Sequence, residues 1–234
     1  MIGKNVLIIS DDTEFFHFTG PILEKSGAQV IAAQDGMEGI IKIFVHQPDL
    51  ILLHVRMLES DGFTICRRIR EASSTPIILL APLVQDHVLL RGLDAGADDF
   101  LSIPFSSEIF LARAKAVLRR SEQGNGHQGE FNYDDGHLKI DVEKHRVQIK
   151  NQLIMLTPVE FRLLAYLLRN AGTVMSFNDI LKNVWGREYA GTTDYVHVYI
   201  SHLRRKIEEV TKSPRYIVTV HGVGYSFEKQ DSAA

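Results

Sequence analysis

Two adjacent carboxylates and one histidine are the residues in the first half of the sequence whose types could act together chemically. Asp11 and Asp12 follow an apolar run that ends at Ser10, and His54 follows a second run that ends at Leu53. Carboxylate oxygens and imidazole nitrogens are common metal ligands. Three such groups without a confirming spacing are a weak signal, so we predict no metal and no cofactor, and a metal at this place stays an open alternative.

Other kinds of chemistry lack the residues that they need. The acidic loop from Ser10 to Glu14 repels the phosphate that a flavin or nucleotide would place at the start of a helix. The glycines in 222–224 are followed by a strand pattern, which is typical of a hairpin turn. The sequence contains no Ser/His/Asp set, zinc motif or P-loop. We therefore expect that the protein is not an enzyme.

The elements that position the acidic pair and the histidine follow from the apolar pattern. Short continuous apolar runs alternate with amphipathic stretches, and such runs indicate strands that are covered on both faces. The predicted strands are 5–10, 29–32, 49–54, 76–80 and 99–102, with helices between them and a last helix at 107–120. This order predicts an α/β domain with a doubly wound five-stranded parallel sheet. The carboxyl ends of its strands carry Asp11, Asp12, His54, Ala81 and Ile103, which we expect to line one pocket.

The second half of the sequence has a different rhythm. Residues 121–130 contain three glycines and no apolar periodicity, which indicates a linker between domains at 1–120 and 131–234. Alternation over 131–156 predicts a small antiparallel sheet. Helices are predicted at 157–170, 177–185 and 194–210, and a hairpin at 216–228. This order is expected of a winged helix-turn-helix domain of the α+β class.

Composition limits the classes of protein that fit. The chain has 234 residues, of which 45% are apolar, and a single cysteine, Cys66, so an internal disulfide is excluded. Residues 131–234 hold 14 basic against 12 acidic residues and residues 1–120 hold 12 against 15, so any DNA contact should be sought in the second domain. Neither a signal peptide nor an apolar run of about 20 residues is present. We expect a cytoplasmic protein that does not contact a membrane.

Two ordered sets of motifs resemble the OmpR/PhoB family of response regulators. In the first domain the matching residues are Asp11-Asp12, 61–63, 92–100 and Pro104-Phe105. In the second they are 156–161, 184–186, 196–206, 215–217 and 222–225. The resemblance implies a phosphorelay receiver domain of a two-component system, followed by a DNA-binding domain that regulates transcription.

Three departures from the family pattern fall in the predicted pocket. The family has a phosphoryl-accepting aspartate where this chain has His54, a hydroxyl residue where it has Ala81, and a lysine where it has Ile103. Phosphoryl transfer depends on such positioning and charge neutralisation. We therefore expect an atypical receiver that is not controlled by phosphorylation, with the imidazole paired to Asp11 or Asp12. A pocket reused for a small ligand, pH or a metal is the alternative.

The helix at 194–210 is implied to be the recognition helix. An apolar stripe of Val196, Ile200, Leu203, Ile207 and Val210 should face the core. The expected DNA contacts lie on the other face and both flanks, with His202 reading a base and Arg204 contacting any sequence. They are Asp194, Tyr195, Val198, Tyr199, Ser201, His202, Arg204, Arg205 and Lys206, together with Thr219, His221 and Tyr225 on the wing.

The resemblance also implies partners. The expected partners are double-stranded promoter DNA with tandem repeats, RNA polymerase, and a second copy bound through the last two receiver helices and the strand between them. The expected dimer residues are Leu89, Arg91, Asp98, Asp99, Glu108, Ala112 and Arg113. The alternative function is a constitutive docking module that modulates another regulator or a kinase.

Overall fold

The computed structural model describes residues 1–55, 61–82, 86–122, 132–186, 189 and 193–230. The chain divides into two compact units, Met1–Ser121 and Glu122–Ala234.

The first unit is a parallel sheet with helices between its strands, which confirms the predicted α/β fold. The strands lie in the order β2-β1-β3-β4-β5. They are β1 Asn5–Ile9, β2 Gln29–Ala33, β3 Leu50–His54, β4 Ile77–Pro82 and β5 Asp99–Ile103. The helices are α1 Thr13–Lys25, α2 Gly36–His46, α3 Gly62–Ala72, α4 Asp86–Asp94 and α5 Ser107–Glu122.

The sheet has a hydrophobic core on each face. Along β3, Ile51 and Leu53 pack into one core, while Leu50 and Leu52 pack into the other. All four side chains are fully buried. Alternate side chains of a strand point to opposite faces, so a strand covered on both sides must be apolar at every position. This is the physical reason for the continuous apolar runs.

Helix starts in this unit are specified by aspartates. The Asp12 carboxylate accepts hydrogen bonds from the backbone N–H groups of Glu14 and Phe15, and Asp61 accepts one from Phe63. These bonds satisfy amides that have no partner within a helix. At Gly62, an added Cβ would lie 2.7 Å from the carbonyl oxygen of His54, so glycine lets α3 begin against the end of β3.

The single cysteine lies on α3 inside the core. Cys66 is fully buried, as predicted for a small apolar residue. Burial penalises the thiolate and raises the pKa of the thiol to about 12. The side chain is therefore a packing group.

Within its described residues, the second unit contains two antiparallel sheets and three helices, which confirms the predicted α+β architecture. The first sheet consists of β6 Tyr133–Asp134, β7 Leu138–Asp141, β8 Arg146–Ile149 and β9 Gln152–Ile154. The helices are α6 Pro158–Arg169, α7 Phe177–Val184 and α8 Asp194–Ile207. The second sheet has the order β10-β12-β11, with β10 Met175–Ser176, β11 Ile217–Val220 and β12 Gly224–Phe227.

Three details differ from the sequence-based expectation. The hairpin gains a third strand, β10, which packs so closely that a Cβ on Gly224 would overlap the carbonyl oxygen of Met175. Helix α8 ends at Ile207, and Val210, predicted to continue the apolar stripe, is 57% exposed. Helix α5 continues through Glu122, two residues into the predicted linker. Linker residues 123–130 lie outside the described residues.

Two buried carboxylates tie the second unit together. Glu208 accepts hydrogen bonds from the backbone N–H groups of Arg215, Tyr216 and Ile217, and so joins the end of α8 to β11. Asp135 accepts hydrogen bonds from the hydroxyls of Tyr133 and Tyr216. These links connect the first sheet to the second one, the wing sheet β10-β12-β11.

The backbone also donates to the Asp135 carboxylate. The N–H groups of His137 and Leu138 bond to Oδ1 at 2.9 and 2.7 Å. Burial raises the pKa of Asp135, but the hydrogen bonds from Leu138, Tyr216, His137 and Tyr133 outweigh it and hold the pKa below its ordinary value. The charged form is therefore the one that stabilises this unit.

Among the helices that the structure describes, none is both long enough and apolar enough to cross a bilayer.

Replacing Asp135 tests this link. We expect Asp135→Ala to lower the free energy of unfolding of the second unit by about 2–4 kcal/mol, because four donors lose their acceptor. Fluorescence of Trp185, the single tryptophan, measures this during urea unfolding of the full chain. The exposed neighbour Asp134 provides the control, and Asp134→Ala should cost less than about 1 kcal/mol. Equal losses in the two variants would contradict the role of Asp135.

The same link predicts a dependence on pH. Because the folded pKa of Asp135 is depressed, its stabilisation is present above the unfolded value of about 3.9 and is lost as pH falls through the folded pKa. Asp135→Asn should therefore flatten the loss of stability below about pH 4. The same urea titrations between pH 7 and pH 3 measure this slope, and an unchanged slope would count against it.

Candidate functional sites

The carboxyl ends of the parallel strands surround a cleft in the first unit. The cleft has a volume of about 800 Å³. It is lined by Asp11, Asp12, Glu14, Phe15, Phe18, His54, Pro82, Ile103, Pro104 and Phe105. Four of the five predicted pocket residues are therefore brought together, and the fifth, Ala81, is buried next to Pro82 at the end of β4.

His54 forms the floor of this cleft at the end of β3. It is only 8% exposed, and its Nδ1 lies 3.2 Å from the hydroxyl oxygen of Ser10, which is itself fully buried. The imidazole stacks on the ring of Phe15, with the ring centroids 5.3 Å apart. A buried polar ring with a hydrogen-bond partner and a stacking partner is held in one orientation.

Aromatic rings form the wall that the sequence interpretation missed. Phe18 and Phe105 lie with their ring centroids 5.7 Å apart, and Phe105 stacks on Phe110 at 5.0 Å. The signal was present, since Phe15 and Phe18 are one helical turn apart directly after the acidic pair.

The acidic edge of the cleft comes from the start of α1. Asp11 is half-buried, whereas Asp12 and Glu14 are exposed. Asp12 also caps α1, so its carboxylate has a structural task. Within the described part of the chain, no group of three or more His, Cys, Asp and Glu side chains is arranged to hold a metal ion. The arrangement offers apolar surface, ring faces and negative charge.

The second candidate site is the outward face of α8. Its solvent-facing side carries Asp194, His197, Val198, Ser201 and Arg205. These residues recur at three- and four-residue intervals, so they form one continuous stripe. On the hairpin, His221 is exposed and Thr219 is half-buried.

His197 is a member of this stripe that the sequence interpretation left out. Its Nδ1 lies 2.9 Å from the hydroxyl oxygen of Tyr225, and its ring packs edge-on against Phe177 at 5.0 Å. The position lies between the predicted contacts Asp194 and Ser201 on the same helical face, so periodicity alone could have included it.

One flank of α8 faces inward and carries three of the predicted DNA contacts. Tyr195 and Tyr199 are 3% and 1% exposed and pack on Trp185 with centroids 6.0 and 5.2 Å apart. His202 is 8% exposed, and its Nδ1 lies 4.0 Å from Glu160 Oε1. Trp185 and α6 cover this flank and leave the three side chains little exposed surface, and base reading by His202 stays a prediction.

Three further predicted contacts have structural tasks. Arg204 donates to the carbonyl oxygen of Ile217 and to Thr219, and burial lowers the pKa of its guanidinium. Lys206 pairs with Glu160 at 2.7 Å. Tyr225 is 6% exposed. These contacts hold the wing and α6 against α8, and direct contact of the three side chains with DNA stays a prediction.

The predicted dimer residues also divide into two groups. Arg91, Glu108 and Ala112 are exposed, and Leu89 is half-buried. Asp98 and Asp99 are buried and paired within the unit, which corrects their assignment as exposed partners. Asp98 pairs with Arg70 and accepts from the N–H of Ile77.

The partners of Asp99 show why it is buried. Arg113 Nη1 lies 3.0 Å from Asp99 Oδ1, and Arg120 lies 3.8 Å from Asp99 Oδ2. A buried carboxylate needs such compensation. Arg113, another predicted dimer residue, therefore has an internal partner that joins α5 to β5.

Comparison with known families covers both units. Residues 6–115 match the family described as "Response regulator receiver domain". Residues 151–227 match the family described as "Transcriptional regulatory protein, C terminal".

Individual proteins match over nearly the whole chain. The alkaline phosphatase synthesis transcriptional regulatory protein PhoP of Bacillus subtilis is 38% identical over 236 residues, which cover 97% of this chain and 98% of that protein. The KDP operon transcriptional regulatory protein KdpE of Escherichia coli is 34% identical over 223 residues, covering 95% and 98%. A solved structure of a RitR mutant matches with a TM-score of 0.80 at 28% identity, covering 97% of this chain and 100% of that one.

Proposed function

Because the chain belongs to the OmpR/PhoB family of DNA-binding response regulators, we propose that it regulates transcription without aspartate phosphorylation. In this proposal the α8 face binds promoter DNA, and the receiver cleft takes no phosphoryl group. The alternative, a constitutive module that docks on another regulator or a kinase, predicts weak or absent DNA binding. A DNA gel shift with genomic fragments distinguishes the two.

The observation that carries the proposal is the composition of the receiver cleft. The floor has an imidazole at His54, and the position at the end of β5 has the apolar Ile103. An acyl phosphate requires a carboxylate nucleophile, and its formation requires a positively charged side chain beside the transferring phosphoryl group. The buried methyl of Ala81 offers no hydroxyl to bond a phosphoryl oxygen. Three separate requirements of the reaction are unmet.

The DNA-binding part of the proposal rests on the outward stripe of α8. Ser201, His197 and Arg205 offer hydroxyl, imidazole and guanidinium groups, and Val198 offers methyl groups. Such groups suit base edges, phosphates and thymine methyls in a major groove. Thr219 and His221 extend this surface onto the wing. Contact with RNA polymerase belongs to the same proposal by resemblance alone.

The dimer part of the proposal concerns α4, β5 and α5. The internal pairing of Asp98 and Asp99 leaves Arg91 and Glu108 as the exposed charges of the predicted set. Exposed ion pairs contribute only about 0–1 kcal/mol each. Ile109, which is 53% exposed on α5 beside Ala112, supplies the apolar surface that such an interface needs.

The first prediction from the proposed function concerns phosphorylation. Acetyl phosphate with Mg²⁺ should leave the mobility of the protein in a neutral phosphate-affinity gel unchanged, and should leave its affinity for DNA unchanged. His54→Asp alone should remain largely unlabelled, because Ile103 still supplies no positive charge. The triple variant His54→Asp, Ala81→Thr, Ile103→Lys restores all three groups and should be labelled.

The experiment on the protein without substitutions tests the proposal directly. A shifted band that disappears in His54→Ala, together with tighter DNA binding in the presence of acetyl phosphate, would overturn the claim of phosphorylation independence.

The second prediction concerns base recognition. His197→Ala should weaken binding to the specific site by about 1–3 kcal/mol and should affect random DNA less. Arg205→Ala should weaken both DNAs alike and reduce the salt dependence of log K by about one unit. Fluorescence anisotropy titrations at several salt concentrations measure both effects.

A histidine outside the second unit provides the control. His46 is exposed on α2, and His46→Ala should leave both affinities unchanged. If His197→Ala weakens specific and random DNA equally, His197 does not read a base.

The third prediction concerns dimerisation. The full chain should sediment as a dimer at high protein concentration, and Ile109→Glu should make it monomeric, because a charge would be buried in the interface. Ile41 on α2 is 55% exposed, so Ile41→Glu is a matched control that should remain dimeric. Monomeric behaviour of the unmodified chain would refute this interface.

A further inference from the structure

We propose that the receiver cleft binds a small organic cation with an aromatic or alkyl body, such as an aryl-substituted ammonium compound. The inference rests on the proposed function in one respect, that the cleft is no longer used for phosphoryl transfer. It goes beyond that function by naming the class of ligand that replaces the phosphoryl group.

The size of the cleft fits an organic molecule. Its volume of about 800 Å³ lies within the range of about 300–1,000 Å³ that is typical of small-molecule sites. A hydrated magnesium ion would fill only a small part of it. Removal of the long lysine side chain that the family pattern has at position 103 leaves apolar surface from Ile103 at this edge.

The charge of the lining selects a cation. Three carboxylates, Asp11, Asp12 and Glu14, line the cleft, and its described lining residues include no lysine or arginine. Coulombic attraction favours a positive ligand beside these groups, and an anion would be repelled. Nucleotides, phosphates and carboxylic acids are therefore the wrong class of ligand.

The aromatic side chains that line the cleft suit a ligand with an apolar part and a positively charged group. Phe18 remains 50% exposed at the cleft although it is a large apolar side chain, and its ring lies beside that of Phe105. The Phe15 ring, stacked on His54, forms a second aromatic surface. Ring faces attract cations through their quadrupole and bury the apolar part of a ligand. The same cleft thus provides both kinds of contact.

An inorganic cation alone is the less suitable occupant. The described carboxylates and histidine do not form a group arranged to hold a metal ion. Mg²⁺ requires oxygen ligands in near-octahedral geometry, and the described carboxylates of the cleft are not grouped to supply it. A hydrated ion would make no favourable contact with the apolar surface of the cleft.

The test uses the full-length protein without DNA and two dyes of comparable size. Thioflavin T is an aromatic monocation whose fluorescence rises when it is held rigidly, and 8-anilinonaphthalene-1-sulfonate is an aromatic anion. We expect saturable binding of thioflavin T and much weaker binding of the anion. Binding should shift the NMR signal of the Ile103 δ-methyl group and leave that of Ile41 in place.

Variants locate the site without disturbing the fold. Phe18→Ala should weaken thioflavin T binding at least about fivefold through loss of a ring face. Phe44 on α2 is 62% exposed, so Phe44→Ala is the matched control and should leave binding unchanged. Ile103→Lys places a positive charge in the cleft and should weaken binding at least about tenfold, while circular dichroism stays unchanged.

Each result decides for or against the proposal. Absence of thioflavin T binding, equal or tighter binding of the anion, or indifference to both Phe18→Ala and Ile103→Lys would overturn it. The acetyl phosphate assay separates this failure from failure of the proposed function. An unlabelled protein that does not bind the cation refutes only the ligand, whereas a labelled protein refutes the phosphorylation-independent function.

Discussion

The parallel pairing of β1, β3, β4 and β5 is the constraint on which the receiver unit depends. Parallel strands in register end at the same edge of the sheet, so side chains that follow them meet whatever their chemistry. The backbone arrangement therefore forms a cleft at this edge, whatever functional groups line it. In this chain the edge carries His54 and Ile103 together with the acidic start of α1. The sheet forms this edge whichever residues follow its strands, so the chemistry there is set by the individual side chains.

The second unit depends on a different device, buried carboxylates that accept several hydrogen bonds at once. Asp135 receives two tyrosine hydroxyls and two backbone amides, and Glu208 receives three backbone amides. Small sheets and short helices bury little apolar surface, so such links contribute strongly to holding them together. The orientation of α8 relative to its wing is fixed by these carboxylates and by Arg204.

The sequence was sufficient to predict the fold and most of the residues that line the cleft. It was less informative about which side chains are exposed on the surfaces. Continuous apolar runs predicted the five strands, because burial on both faces leaves no other pattern. Periodicity was ambiguous for α8, since tyrosine and histidine suit both a core flank and a DNA surface. The helical repeat puts His202 on the outward face and Tyr199 on a flank, yet Glu160 and Trp185 lie against them. That packing depends on residues distant in sequence, which a helical repeat does not encode.

The exposure of charged residues was hard to predict from the sequence for the same reason. Asp98 and Asp99 look exposed in a sequence rich in acidic residues, but their partners Arg70, Arg113 and Arg120 come from other elements. The third strand of the wing sheet, two residues long, was too short to give any period-two signal. Local sequence thus predicted elements and strand ends, and tertiary pairing decided which polar groups are available.

The burial of Cys66 has a practical consequence. A thiol with a pKa near 12 inside the core remains protonated and inaccessible to alkylating reagents at neutral pH. The native chain is therefore a silent background for thiol labelling. A cysteine introduced at Phe18, at the mouth of the cleft, would be the accessible one in the described part of the chain, and a spin label or fluorophore attached there would report on the cleft without removal of the native cysteine.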